Sequence, residues 1–475
     1  MFGNLSERPK SIALLLCLCI FLPACGISRQ VQPTTAAESA DSRLSRQDRT
    51  EIFEDVWKTI NEQYYDASFN GVDWQESGKR YRPRVEAAKN DTEFYRLLEE
   101  MLAELRDAHT VFNRPRANAN DNINPAGSVG ISLGEVEDKT VIVEVEPDSD
   151  AAHAGVKPGM ILRSVNGKSV AELYNEIRSH FAGSSTEQAM KGAMHGALLY
   201  GGFLGTSREF GIEDFNGKIF DVRVTHFAAA PSEIPTLTAR RLPSSFGYIE
   251  FAEWKPPVDE RFKTELAKLM DTSGLIIDLR GNSGGQTDIL LNIGSLFFPA
   301  KTSFGSFSKR GGQPEQIITH KLDRIYKGRV IVLVDEVSAS ASELFAVAMQ
   351  ENSRARIIGR QTCGCVLNQA SKKERGGGTL RWSARVYSSP QGHILEGIGV
   401  SLDEKVALTI SDLRRGRDAT LEAAEKELRV KRGSPRGKNG QDVSRCGLRC
   451  NGFIGQQTRG GWAVFRVAAF GCRLS

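Results

Sequence analysis

The sequence predicts a multidomain α/β protein: an N-terminal helical bundle, a central β domain, and a C-terminal α/β core on a mixed sheet. Three observations predict it. Apolar residues recur at three- and four-residue steps over 45–105, the period of helices with one buried face. Two strand-like runs, Val129–Leu133 and Thr140–Val145, are followed by an Asn166-Gly167 turn, a strong hairpin signal. From Phe246 onward, β-branched apolar runs alternate with amphipathic helical ones, as in an α/β core.

Taken in order, the chain opens on an address. Arg8 and Lys10 precede a short apolar run, 12–21, and then Leu22-Pro23-Ala24-Cys25. The run is too short to span a bilayer and fits the hydrophobic region of a signal peptide. Its end resembles a bacterial lipobox, which implies that Cys25, the last residue of the 1–25 signal-and-lipobox segment, becomes the lipid-modified first residue of the mature protein. Residue 26 is Gly, so nothing signals inner-membrane retention. The small polar residues of 26–43 read as a tether. The helical domain is expected over 44–115. Its first stripe is Ile52, Phe53, Val56, Trp57, Ile60 and Tyr64; a second helix opens at Asp91 and contains Leu97, Leu98, Met101, Leu102 and Leu105, and His109 follows it. The Asn-rich 116–125 reads as a linker, and the β domain is expected over 126–230, with a mobile Gly-rich segment at 192–205.

The core is expected over 240–430. Strands are predicted at 246–251, 274–280, 330–334, 355–358, 380–386 and 397–400, and helices at 258–270, 289–297 and 409–430. The strand at 274–280 runs into Gly281-Asn282-Ser283-Gly284-Gly285, a loop bare enough for its backbone to approach a ligand. The next buried strand runs into Ser338-Ala339-Ser340-Ala341-Ser342-Glu343 and then a helix to Gln350. A serine at a strand-to-helix junction has two readings. It caps the helix, since Ser340 and Glu343 fit the capping box, or it is a nucleophile at a helix N-terminus.

Combined motifs favour the nucleophile. Residues 128–131 (Ser128, Val129, Gly130, Ile131), then "A-G-V-K-P-G-M-I-L" at 154–162 and the Asn-Gly turn, resemble a PDZ domain. That resemblance implies capture of a polypeptide by the 128–131 loop. "D-L-R-G-N-S-G-G" at 278–285, "S-A-S-A-S-E" at 338–343 and "G-R-Q-T-C-G" at 359–364 follow it. The ensemble is similar to the tail-specific, or C-terminal processing, serine peptidases, whose core is ClpP/crotonase-like. The resemblance implies Ser340 as nucleophile. It implies an oxyanion hole from Ala341 and from Gly284 or Gly285. The family's lysine base aligns with Cys365, so a Ser–Lys dyad is absent. "D-A-H-T" at 107–110 and "E-G-I-G-V-S-L-D" at 396–403 instead resemble the tricorn-protease core, which implies His109 as base and Glu396 as its supporting carboxylate. Cys365 and Gln369 are expected beside the site. His393 is a second candidate base. Asp278 and Arg280 are expected to hold the Gly-Gly loop rather than do chemistry.

Composition excludes other classes. The net charge of +4 is carried by a foreign-looking tail, 431–475, with nine Lys/Arg and one acidic residue, Asp442; it is expected to be disordered. The rest is net acidic, with no basic face for nucleic acid. No Walker-type phosphate loop occurs, so no ATPase is built in. The eight cysteines make neither a disulfide framework nor a zinc pattern. Cys363 and Cys365 are left with their redox state open. The expectation is a lipid-anchored, periplasmic-side endopeptidase of the bacterial envelope, at the outer membrane, acting on polypeptides without metal or cofactor; oligomers are compatible with it. The competing readings are an inactive peptide-binding scaffold, motivated by the lost lysine, and an esterase on the same core.

Overall fold

The computed structural model describes residues 44–107, 109–115, 128–181, 184–199, 205–227 and 236–430. The expected leader with Cys25, the tether, the 116–125 linker, Ala108, part of the Gly-rich 192–205 segment and the basic tail lie outside the described residues.

Helices α1 (Arg46–Gln63), α2 (Trp74–Glu86) and α3 (Asp91–Ala103) come first, followed by strand β1 (Val111–Asn113). Each helix starts where a short polar side chain satisfies a free amide. Ser45 and Asp48 form a reciprocal capping box on α1, Asp73 caps α2 and Asn90 caps α3. The predicted stripe of α1 is buried at Ile52, Phe53, Val56 and Ile60, against Trp74, Phe94, Leu98 and Met101. Two tryptophans latch α1 to α2: Trp57 Nε1 donates to the Trp74 carbonyl (3.0 Å), and Trp74 Nε1 to that of Trp57 (3.1 Å).

The β domain follows as β2 (Ile131–Val136), β3 (Lys139–Val145), α4 (Asp150–His153), β4 (Ile161–Val165), β5 (Lys168–Ser169), α5 (Val170–Ile177), α6 (Glu187–Leu199), β6 (Ser207–Glu213) and β7 (Ile219–Thr225). Its antiparallel sheet has the order β2-β3-β4-β6-β7, with β5 on β4. Val129, Ile142, Leu162, Phe210 and Val222 fill its core.

The core region holds β8 (Leu237–Arg241), β9 (Gly247–Phe251), α7 (Val258–Ala267), β10 (Gly274–Asp278), α8 (Thr287–Gly294), β11 (Ser303–Ser308), β12 (Glu315–Ile318), β13 (Arg329–Val334), α9 (Ala341–Glu351), β14 (Ala355–Gly359), β15 (Asn368–Lys373), β16 (Thr379–Ser388), β17 (Glu404–Lys405), α10 (Ile410–Arg415) and α11 (Ala419–Arg429). One sheet runs β17-β14-β13-β10-β9-β8. It is parallel except for the β8–β9 pair, so it is mixed, as expected. Its strands are apolar on both faces because helices cover both. Ile249, Leu275, Ile277 and Val332 face one core, and Ile276, Ile331, Leu333 and Ile358 face another, closed by Ala424 and Leu428 of α11.

A second sheet, β1-β16-β11-β12 with β15 on β16, ties the helical region to the core: β1 pairs with β16 at Val111↔Arg381. Strands β11, β12 and β15 were not anticipated, because SFGSFS, EQII and NQASKK carry no sustained apolar alternation. Two expectations need correction. Residues 397–400 are not a strand; they leave a turn in which Gly397 and Gly399 take positive φ (74° and 81°). The single helix predicted at 409–430 is broken at Gly416, whose left-handed φ of 63° ends α10. Asp418 then restarts the chain, its Oδ1 accepting from the Leu421 amide (2.9 Å).

Candidate active site

The site lies at the ends of β10 and β13, where two loops meet. Asn282, wholly buried, organises the first. Its Nδ2 donates to the Phe251 carbonyl (2.9 Å) and its Oδ1 accepts from the Gly284 amide (3.0 Å). Its carbonyl accepts from the Ala339 amide (3.2 Å) and the Ser342 hydroxyl (2.9 Å), which locks the two loops together. Asp278 and Arg280 hold this loop from below, as expected: Arg280 bridges Asp278 and Asp418, and Tyr248 donates to Asp278 (2.8 Å).

The three serines of the second loop part company. Ser338 Oγ donates to the Leu279 carbonyl (2.7 Å) and Ser342 Oγ to that of Asn282 (2.9 Å); both residues are fully buried. Ser340 lines a cavity of about 200 Å³ together with His109, Gly285, Ala341, Leu344, Leu367 and Gln369. The backbone of Ser340 is in a region that L-residues avoid, φ 51° and ψ −121°. Such strain costs on the order of 1–3 kcal/mol and survives where surroundings enforce it.

Glu343 supplies that enforcement. Its Oε1 accepts from the Thr362 hydroxyl (2.6 Å) and the Gly364 amide (2.8 Å). Its Oε2 accepts from the amides of Cys365 (2.9 Å) and Ser340 (3.2 Å). Burial pushes this carboxyl above the usual range, and those four donors pull against it. The sequence reading gave Glu343 a cap's role only. The structure makes it the tie between the serine turn and 362–365.

Gly284 and Gly285 are distinguished. A Cβ on Gly284 would stand 2.7 Å from Ser340 Cβ, so only glycine lets the loops touch. The Gly284 amide, however, is spent on Asn282. Gly285 pairs with Trp254 through its neighbours, the Gly284 carbonyl and Gln286 amide, which turns its own amide away from Trp254. Gly285 and Ala341 both line the cavity. Of the two candidate glycines, Gly285 is the one left to pair with Ala341.

His109 arrives from the helical region, on the turn between α3 and β1. Its amide donates to Asp107 Oδ1 (2.9 Å), its carbonyl accepts from Gln369 Nε2 (3.0 Å), and its Nδ1 lies 3.8 Å from Asp107 Oδ1. Burial pushes the imidazole below the ordinary histidine range, with Asp107 pulling it up and Arg381 pushing it down. Glu396 Oε2 accepts from the amides of Val366 (2.7 Å) and Leu367 (3.2 Å). Burial raises its carboxyl to about 7, against the bonds from Val366 and Ser185. His109 Nδ1 and Glu396 Oε1 are buried without a hydrogen-bond partner. The side-chain ligand atoms of Asp107, His109 and Glu396 all lie within 4.8 Å of one another, so this trio could also hold a metal ion. Asp107 is thus a carboxylate nearer to His109 than the sequence assigned.

The remaining expected residues take these positions. His393 is exposed and paired with Glu351 (2.7 Å). Cys365, expected beside the site, accepts from the Ser340 amide at its carbonyl (3.0 Å) and is disulfide-bonded to Cys363. In the 128–131 loop, the Ser128 amide is taken by Phe227 (2.9 Å) and the Gly130 amide by Ser128 Oγ (3.0 Å). Val129 is fully buried and Ile131 pairs with Val145, so the amides at 128 and 130 are engaged within the domain.

Residues 245–406 match Peptidase family S41, and residues 45–103 match the Tricorn protease C1 domain. The chain is 24% identical over 395 residues to a carboxyl-terminal-processing protease of Synechocystis sp., covering 81% of this chain and 87% of that protein. It is 24% identical over 405 residues to a probable CtpA-like serine protease of Staphylococcus haemolyticus, covering 83% and 72%. Among solved structures, the photosystem II D1 C-terminal processing protease shares the fold at a TM-score of 0.56 and 20% identity, over 80% of this chain and 97% of that one. Mature CPAF does so at 0.62 and 14%, over 81% and 96%.

Proposed function

We propose that the chain is a serine peptidase of the tail-specific family, an ATP-independent endopeptidase of the bacterial envelope that cuts extended or C-terminal polypeptide segments through an acyl-enzyme on Ser340; the matches to Peptidase family S41 and to a carboxyl-terminal-processing protease support this reading. One observation carries the site assignment: of three clustered serines, two hydroxyls are buried in structural bonds, and Ser340 lines the cavity that His109 also lines. His109 takes the proton from Ser340 Oγ as it attacks the scissile carbonyl, and returns it to the departing amine. Its Nδ1 lies on the side of Asp107, which leaves Nε2 for the serine. Asp107 and Glu396 stabilise the imidazolium, and the amides of Ala341 and Gly285 receive the oxyanion. Water then repeats the sequence and frees the acid.

The test is twofold: cleavage of casein without nucleotide, and fluorophosphonate labelling that maps to Ser340. If the wild-type protein shows neither, the reading is lost. The leader supports anchoring through Cys25 on the periplasmic side, at the outer membrane. Cys25→Ser is expected to move the protein from the detergent phase to the aqueous phase in a partition assay; unchanged partition would remove the anchor.

The pH dependence follows from the carboxylate at about 7. Glu396 works as an anion, so kcat/KM is expected to rise with pH through about 7 and fall as the group protonates below it. His109, held lower, is already neutral there. In Glu396→Gln the acid limb should move below the ordinary histidine value of about 6.5, on a lower plateau. An acid limb that stays near 7 in Glu396→Gln would assign it to another group.

A further inference from the structure

Cys363 and Cys365 are joined across a single residue, Gly364. This three-residue ring sits where the serine turn, the Glu396 turn and the β domain converge. All six of its backbone polar groups are committed to those partners. The Cys363 amide donates to the Ser338 carbonyl (3.0 Å), and the Cys363 carbonyl accepts from Thr186 Oγ1 (2.6 Å). The Gly364 amide donates to Glu343 (2.8 Å), and its carbonyl accepts from the Gly397 amide (2.8 Å), next to Glu396. The Cys365 amide donates to Glu343 (2.9 Å), and its carbonyl accepts from the amide of Ser340 itself (3.0 Å). The two residues that follow hold Glu396 through their amides.

We propose that the Cys363–Cys365 disulfide is a positioning crosslink for Ser340 and Glu396, that the disulfide form is the active one, and that an external dithiol lowers turnover by opening it. The proposal rests on the peptidase reading of Ser340. It goes beyond that reading by assigning a redox-sensitive role to a pair that sequence left open. In the reduction the S–S bond breaks, the two sulfurs gain two electrons and two protons to become thiols, and the dithiol closes into its own disulfide. Two free thiols must then separate to non-bonded distance inside a packed site. Both cysteines are buried, 8% and 5% exposed, so the separation is accommodated by the 363–365 backbone. That backbone carries the acceptor for the Ser340 amide and two donors to Glu343, so the displacement is delivered to the strained serine turn.

The experiment compares the full chain as disulfide, the same protein reduced with dithiothreitol, and the Cys363→Ser/Cys365→Ser double variant. Thiols are counted by alkylation after denaturation. Both altered forms are expected to lose about tenfold or more in kcat with KM within about twofold. Their rate of fluorophosphonate labelling at Ser340 should fall in parallel, and dithiothreitol should leave the double variant unchanged. A general loss of packing would instead lower the melting temperature and raise KM together. If the double variant misfolds, the reduced wild-type protein, with its thiols counted, decides. Labelling and kcat equal to wild type in either altered form overturn the proposal. Absence of labelling in the disulfide-bonded wild type sinks the peptidase reading first, and is thereby distinguishable.

Discussion

His109→Ala is expected to lower kcat on a protein substrate by about 10⁶-fold, the scale of losing the working imidazole in a serine triad, while the melting temperature stays within a few degrees of wild type. Among the described residues that line the cavity with Ser340, the imidazole is the one titratable group. Its position does not depend on the ring. Asp107 holds the His109 amide, Gln369 holds its carbonyl, and Thr110 Oγ1 accepts from the Ser383 amide (3.1 Å) to dock the turn on β16. Removing the ring therefore deletes the base and leaves the docking intact. Substrate still binds, so the loss should fall on kcat. Unchanged turnover would remove His109 from the chemistry. Turnover lost together with cooperative unfolding would show a structural role instead.

That docking explains why the site was only half legible in the sequence. The serine turn and the Gly-Gly loop are local events: buried strands β10 and β13 end, small residues follow, and helices α8 and α9 begin. Residue type at each position discloses them. The proposed base is not local. His109 comes to line the cavity of Ser340 because β1 pairs with β16, and neither strand is placed beside the other by any periodicity; the resemblance to the tricorn core supplied that partner. The broken helix at Gly416 had a readable signal, a glycine stop followed by an aspartate start, which the apolar stripe of 409–430 concealed. Glu396 was legible as a carboxylate beside a Gly-rich bend, but the bend was misread as a strand. Its amide donors at 366 and 367 belong to a segment with no regular structure. The role of Glu343 was hidden by its ordinary local meaning. A capping glutamate answers to one amide, and here three further donors come from 362–365, brought there by the pairing of β13 with β14.

Glu343→Gln is accordingly the second large effect expected, on stability and turnover together. The carboxylate is fully buried, and each oxygen faces two donors. Gln supplies one oxygen and one NH₂, so whichever way it turns, two donors meet hydrogens instead of an acceptor. Each buried donor left unpaired costs about 1–3 kcal/mol, so a loss of about 3 kcal/mol in unfolding free energy is the expected result, read from denaturant midpoints. Where the NH₂ turns toward Cys365 and Ser340, the Ser340 amide keeps only the Cys365 carbonyl (3.0 Å), so the strained φ of 51° loses part of what enforces it. Turnover should fall by about 10²-fold with KM little changed, because the oxyanion amides and the serine rotate out of register while the remote peptide contacts persist. Glu343→Asp separates the two roles: it restores the charge and retracts it by one methylene. It should recover part of the stability, since ionised oxygens again face donors, but little of the turnover, since Ser340 and the 363–365 ring can no longer be reached at once. A Gln variant with wild-type turnover would mean that the serine turn keeps its shape without this carboxylate, and that the ring bonded to Ser338 and Ser340 suffices to hold it.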